Sequence, residues 1–255
     1  MDRSTNHGEK SVVKNRLTGI IVLGPFRSGT SLVSRILSKL GVGFGPREGM
    51  LKADRFNPDG YFQHKNVRIA NNRLIKSAGT SVAWPAHPQL MSSEGDLAVL
   101  KRAKLDWTFD LKHWGVKDPR FCATLLSWIS ADRLDPLGLS IVRVERDIEA
   151  AALDLLGMPE LARQLPARTA RSAIATIGRY AEFAEWHTSN LQVPGHVLRY
   201  EALLANPAQC VADLSDFVHA GTKQQIKEAT ACIRRQGCSH ACMDSGNAEM
   251  KSSNL

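Results

Sequence analysis

The sequence has no early apolar run long enough to span a membrane or to form the core of a signal peptide, because Gly19 to Gly24 is far too short. Aromatic residues make up only 6% of the chain, with three tyrosines, and there is neither a dense Lys/Arg run nor zinc-finger spacing. Base stacking and phosphate tracking both lack their usual material, so nucleic acid is not the expected partner. Five cysteines is an odd number and no secretory signal accompanies them, which argues against a disulfide framework. Cys232, Cys238 and Cys242 gather around His240, but their spacing matches no standard zinc pattern. A reduced, cytoplasmic, metal-free chain without a membrane span is the expectation; the oligomeric state has no signature.

What is present is ordinary globular material with a positive bias. The 255 residues are 43% hydrophobic and 23% charged, enough for one large α/β domain or two small ones with a substantial core. A formal net charge of +8 and a sequence pI near 9.4 favour anionic partners. With nucleic acid set aside, a small, multiply charged anion is the better fit.

The pattern along the chain alternates strands with helices. Leu17 to Leu23 is a short apolar and β-branched run ending at a glycine, as in a buried parallel strand. Leu32, Val33, Ile36, Leu37 and Leu40 follow at helical spacing, with Gly41 placed to end the helix. Further strands are predicted at Trp114 to Lys117, Leu139 to Val144 and Val197 to Tyr200. Helices are predicted at about 147–157 and 168–190, and another starts at Asn206-Pro207. This rhythm implies a single α/β domain with a central parallel sheet flanked by helices, over residues 16–237 between a polar tail (1–15) and a C-terminal tail (238–255). Two stretches break the rhythm: 44–64, which contains the turn Asn57-Pro58-Asp59-Gly60, and 78–107. Long irregular insertions of this kind are expected as substrate loops at the carboxyl edge of the sheet.

The stretch GPFRSGTSLVSRIL, residues 24–37, stands between the first strand and the first helix. Gly24 and Gly29 have the spacing of the nucleotide-binding pattern G-x-x-x-x-G-K-[ST], and Ser31 fills the hydroxyl position, but Thr30 replaces the lysine. Backbone N–H groups of such a loop, reinforced by the helix dipole, make an anion cradle. Ser28, Thr30 and Ser31 add hydroxyls, Gly29 permits close approach, and Arg27 places a permanent cation inside the loop. The missing lysine weakens contact with a polyphosphate tail and matters less for a shorter anion that needs no metal.

At this point the residues resemble a known family. PFRSGTSL is similar to the 5′-phosphosulfate loop of sulfotransferases that use 3′-phosphoadenosine 5′-phosphosulfate (PAPS). FNPDGYFQ resembles a substrate-side segment of the family's bacterial-type branch, where glutamate is common at the position of Gln63. WGVKDPR resembles that branch's segment after a central strand, IVRVERDIEAAALDLL its 3′-phosphate strand and helix, and VLRYEALLANP its R-Y-E-x-L-x-x-N-P segment. The blocks keep their order over about residues 18 to 235.

The resemblance implies a P-loop-like fold and transfer of a sulfonyl group from PAPS, without metal, to a hydroxyl or amine of a small-molecule or glycan acceptor. It implies that Arg27, Ser28, Gly29, Thr30 and Ser31 hold the 5′-phosphate, and that Lys117 stabilises the sulfonyl oxygens unless it is a surface lysine near a turn. Arg146 matches the 3′-phosphate arginine. Eight residues later the family has serine and this chain has Asp154, a carboxylate that would repel a phosphate unless turned away or protonated. If helical, Arg146 and Asp154 lie a little over two turns apart, so both can face one side. For the general base, Asp118, His64 and Glu48 are candidates; Asp118 equally suits anchoring its loop, and His64 a solvated turn. Two other readings stay open: a sulfotransferase-like nucleotide-binding protein without catalysis, and a P-loop kinase, which the missing lysine disfavours.

Overall fold

In the computed structural model, residues 18–91, 98, 100, 105 and 111–244 are described, with side chains through residue 233. The expected tail 1–15, most of 92–107, the side chains of Cys238, His240 and Cys242, and residues 245–255 lie outside these. The chain runs β1 (Thr18–Leu23), α1 (Thr30–Lys39), α2 (Lys65–Ser77), β2 (His113–Lys117), α3 (Phe121–Ser130), β3 (Leu139–Glu145) and α4 (Ile148–Leu156). It continues through α5 (Pro159–Ala162), α6 (Ala170–Asn190), β4 (Gly195–Arg199), α7 (Tyr200–Ala205), α8 (Pro207–Phe217) and α9 (Lys223–Asp244). Tyr200 opens a helix rather than ending the strand, and α9 continues beyond residue 237.

The four strands form one parallel sheet in the order β2-β1-β3-β4. Side-chain alternation along β1 builds two cores, one on each face. Ile21 and Leu23 join Leu74, Phe121, Trp128, Tyr180 and Phe183 on one side. Ile20 and Val22 join Val33, Ile36, Leu37, Val211 and Leu214 on the other. All four of these β1 side chains are fully buried, each stabilising the fold by about 2 kcal/mol. Helices therefore cover both faces, as the strand-helix rhythm predicts. In this order the connection leaving β1 runs to one side of the sheet and the connection leaving β3 to the other. In parallel α/β sheets a crevice opens where the connections part in this way.

The two irregular stretches have different fates. Residues 44–64 fold over the carboxyl end of β1. The described part of 78–107 instead packs on α6: Thr176 Oγ1 donates to the Ala83 carbonyl at 3.0 Å, and Tyr180 Oη to the Val82 carbonyl at 2.7 Å. The expectation that this second stretch shapes the site is thus corrected for 78–91, whose backbone acceptors satisfy buried α6 side chains. Among the described residues no helix is long and apolar enough to cross a membrane, and no group of three His, Cys, Asp or Glu could hold a metal ion.

Candidate functional site

A cleft of about 590 Å³ opens at the carboxyl end of β1, walled by the 24–31 loop, the 51–63 segment, the end of β2, Arg146 and α4. Its floor is the turn between β1 and α1. Arg27 and Gly29 both adopt left-handed backbone conformations, with φ of 62° and 91°. Only Gly29 adopts this at no steric cost, and its missing Cβ matters twice: one built there would stand 2.4 Å from the Tyr200 ring. No side chain caps α1, so the N–H groups of its first turn face the cleft without an intrahelical partner. Ser28 and Thr30 are buried, and Ser28 Oγ donates to the Pro25 carbonyl at 2.8 Å, which locks the turn.

The register of β1 on β2 then brings in a lysine. Val22 pairs with Lys117, so the end of β2 lies beside the loop. Lys117 is only 3% exposed, and its ammonium donates to Ser31 Oγ at 3.1 Å and to the Tyr61 carbonyl at 3.3 Å. It is a cleft-wall cation rather than a surface lysine. Burial pulls its pKa down to about 8, with Asp118 opposing that shift. Asn57, which the sequence shows only as part of a turn, donates from Nδ2 to the same Ser31 hydroxyl at 2.8 Å. Arg35 pairs with Asp59 and ties the same turn to α1.

Of the three base candidates, Asp118 and His64 sit behind the wall of the cleft rather than on it. Asp118 is fully buried: Oδ1 accepts from the Arg120 backbone N–H at 2.9 Å and from Arg120 Nη1 at 3.1 Å, and Oδ2 accepts from Gln63 Nε2 at 2.7 Å. The carboxylate ties the 117–120 turn to the 51–63 segment, and Gln63 is buried with it. His64 is 8% exposed, its Nε2 2.8 Å from the Phe44 carbonyl, and burial lowers its pKa. It is a buried histidine rather than a solvated one. Glu48 lies in a short 3₁₀ turn, 47–49.

At the other end of the cleft, Arg146 follows β3 and Asp154 sits two turns into α4. The two face one side, as their spacing predicts, and Arg146 Nη1 donates to Asp154 Oδ2 at 2.7 Å. The same nitrogen donates to the Arg27 carbonyl at 2.7 Å, and the guanidinium lies 4.8 Å from the centre of the Tyr200 ring. Arg27 Nη2 approaches Asp154 Oδ2 at 3.8 Å, so one carboxylate serves two guanidiniums. Tyr200 and Arg120 were visible in the sequence only as members of quoted segments; their packing roles depend on contacts across the fold.

No family model and no curated protein matches the sequence. Among solved structures the chain is similar to the sulfotransferase domain from the curacin biosynthetic pathway, with TM-score 0.47 and 15% identity over 83% of this chain and 77% of that one. It is also similar to the sulfotransferase domain from the Synechococcus PCC 7002 olefin synthase, with TM-score 0.46 and 14% identity over 87% and 80%. A sulfotransferase from Mycobacterium avium matches with TM-score 0.45 and 10% identity over 88% and 68%. What the cleft can do follows from its own residues.

Proposed function

We propose that the cleft binds an adenine nucleotide carrying a 5′-phosphosulfate, PAPS or a close relative, and transfers its sulfonyl group to a hydroxyl or amine of a small-molecule or glycan acceptor. The observation that carries this reading is the meeting of Lys117 with Ser31 at the N-terminus of α1, where the ammonium has no carboxylate of the described residues within ion-pair distance. A buried cation beside unpartnered N–H groups suits an anion whose charge grows during reaction.

In this reading the 5′-phosphate rests on the backbone of Ser28 to Ser31 at the N-terminus of α1. The acceptor oxygen or nitrogen attacks sulfur from the side opposite the bridging oxygen. The S–O bond to the phosphate breaks, the acceptor's proton passes to water in the cleft, and the nucleotide leaves with the added negative charge on its 5′-phosphate. Lys117 faces the sulfonyl and bridging oxygens, and its ammonium stabilises that charge. Asp118 is a positioning residue here, holding Arg120 and Gln63 so that the 117–120 turn keeps Lys117 in place. The 51–63 segment, with Asn57 and Tyr61, forms the acceptor side.

One observation favours the alternative of nucleotide binding without transfer: Gln63 in the cleft wall is an amide, and its hydrogen bond engages the Asp118 carboxylate behind the wall, so neither offers the cleft a base. Calorimetric titration separates the readings. Binding of adenosine 3′,5′-bisphosphate, weakened by Lys117→Ala, together with sulfonyl transfer from PAPS to a panel of alcohols and amines, is the expected result. No binding of the bisphosphate, or tighter binding of Mg-ATP, overturns recognition of a phosphosulfate nucleotide; binding without any transfer leaves the binding-protein reading.

A further inference from the structure

Most of the cleft's cations are already matched to acids. Arg35 pairs with Asp59, Arg120 with Asp118, and Arg146 and Arg27 share Asp154. Lys117, by contrast, donates only to a hydroxyl and a carbonyl. The cleft is therefore electrostatically asymmetric: one end offers an open cation on a helix N-terminus, and the other a guanidinium pair that carries its own counter-ion.

The counter-ion is held by the fold and not by chance proximity. Asp147 caps α4 by accepting from the Ala150 N–H at 2.8 Å, which fixes where that helix starts and hence where Asp154 falls two turns later. Arg146 is pinned from three sides, by the Asp154 carboxylate, the Arg27 carbonyl and the Tyr200 ring. Its Nη1 already donates to both oxygens, so an incoming anion finds that nitrogen engaged and a negative charge beside it.

We infer that Asp154 is a specificity-determining residue, an internal anion standing where a ligand's second phosphate would otherwise meet Arg146 and Arg27. The cleft takes a phosphate or phosphosulfate at the α1 end and an uncharged group at the Arg146 end. This rests on the adenine-nucleotide reading above and narrows it: the 3′-phosphate of the nucleotide adds nothing to affinity, and a donor without it binds as well.

The test is calorimetric titration of the full chain with adenosine 5′-monophosphate and with adenosine 3′,5′-bisphosphate, for the natural protein and for Asp154→Asn. The two nucleotides are expected to bind the natural protein within about threefold of each other. Asp154→Asn keeps the shape and removes the charge; it is expected to tighten the bisphosphate by about tenfold and to change the monophosphate by less than about twofold. Because Asp154 is two-fifths exposed, the substitution leaves the fold intact, which a melting curve verifies. A bisphosphate that binds the natural protein about tenfold or more tightly than the monophosphate overturns the inference while leaving the adenine-nucleotide reading standing. So does an Asp154→Asn variant with unchanged preference. Binding of neither nucleotide overturns the adenine-nucleotide reading and this inference with it.

Discussion

Lys117 and Ser31 are 86 positions apart in the chain, yet the lysine ammonium donates to the serine hydroxyl at 3.1 Å. The contact joins the end of β2 to the first turn of α1 and places a buried cation of the cleft wall beside the N-terminus of that helix. A buried charge of this kind is costly for the fold and useful for the site.

Replacing Lys117 by methionine separates those two effects. Nucleotide affinity and any sulfonyl transfer are expected to fall, transfer by about a hundredfold or more, because a group facing developing charge is lost. Stability is expected to hold or rise, since a desolvated ammonium is replaced by an apolar chain of similar length. Thermal melting with parallel titration checks this; a large drop in melting temperature with binding retained would make Lys117 a structural residue only.

The pH dependence of the same lysine has two opposite arms. Its folded pKa is about 8 against an ordinary 10.5, so between these values the unfolded chain binds more protons than the native one. Stability should therefore rise with pH over that window. Anion affinity should do the reverse and decline as pH passes 8 and the ammonium loses its proton, although a bound anion will shift the midpoint upward. Titrations between pH 7 and 10 check both arms, and an affinity that stays flat in the natural protein but falls in Lys117→Arg contradicts the assignment.

His187 gives an acid limb. It is fully buried on α6, and burial pulls its pKa down to about 3 from 6.5. The unfolded chain thus takes up a proton that the native one refuses between these values, and stability is lost as pH falls from 6.5 toward 3. The loss is on the order of a few kcal/mol. Urea unfolding at pH 7 and pH 4.5 measures it, and His187→Gln should reduce the difference between the two.

Gly29 and Gly60 form a matched pair for the anion cradle. Both have positive φ, 91° and 89°, so alanine strains the backbone at each by about 1 kcal/mol. At Gly60 an added methyl meets nothing within 4 Å, whereas at Gly29 it lands 2.4 Å from the Tyr200 ring. Gly60→Ala should retain nucleotide binding with a small loss in stability, and Gly29→Ala should lose binding as well. Equal effects of the two on affinity would show that the Gly29 contact with Tyr200 does not shape the cradle.

Much of this architecture is written locally. The apolar run of β1, the helical spacing from Leu32 to Leu40 and the glycine-bounded loop between them need only neighbouring residues to be read, because strand and helix periods repeat over a few positions. The tight turn at the N-terminus of α1 was likewise legible, from Gly29 and the hydroxyls of Ser28, Thr30 and Ser31. Even the Arg146–Asp154 pair could be placed on one side by counting helical turns.

What the tertiary structure decided is which groups meet across distant segments. The sheet register that sets Val22 beside Lys117 turned a lysine near a turn into a buried cation on the cradle. Folding of the 51–63 segment over β1 joined Gln63 in the cleft wall to Asp118 behind it. Only in three dimensions do Arg27 and Arg146 converge on Asp154, so that a carboxylate out of place in the sequence becomes the counter-ion of both. Periodicity is a property of adjacent residues, whereas charge pairing depends on separations of a few ångströms between segments that only the sheet and its crossovers bring together.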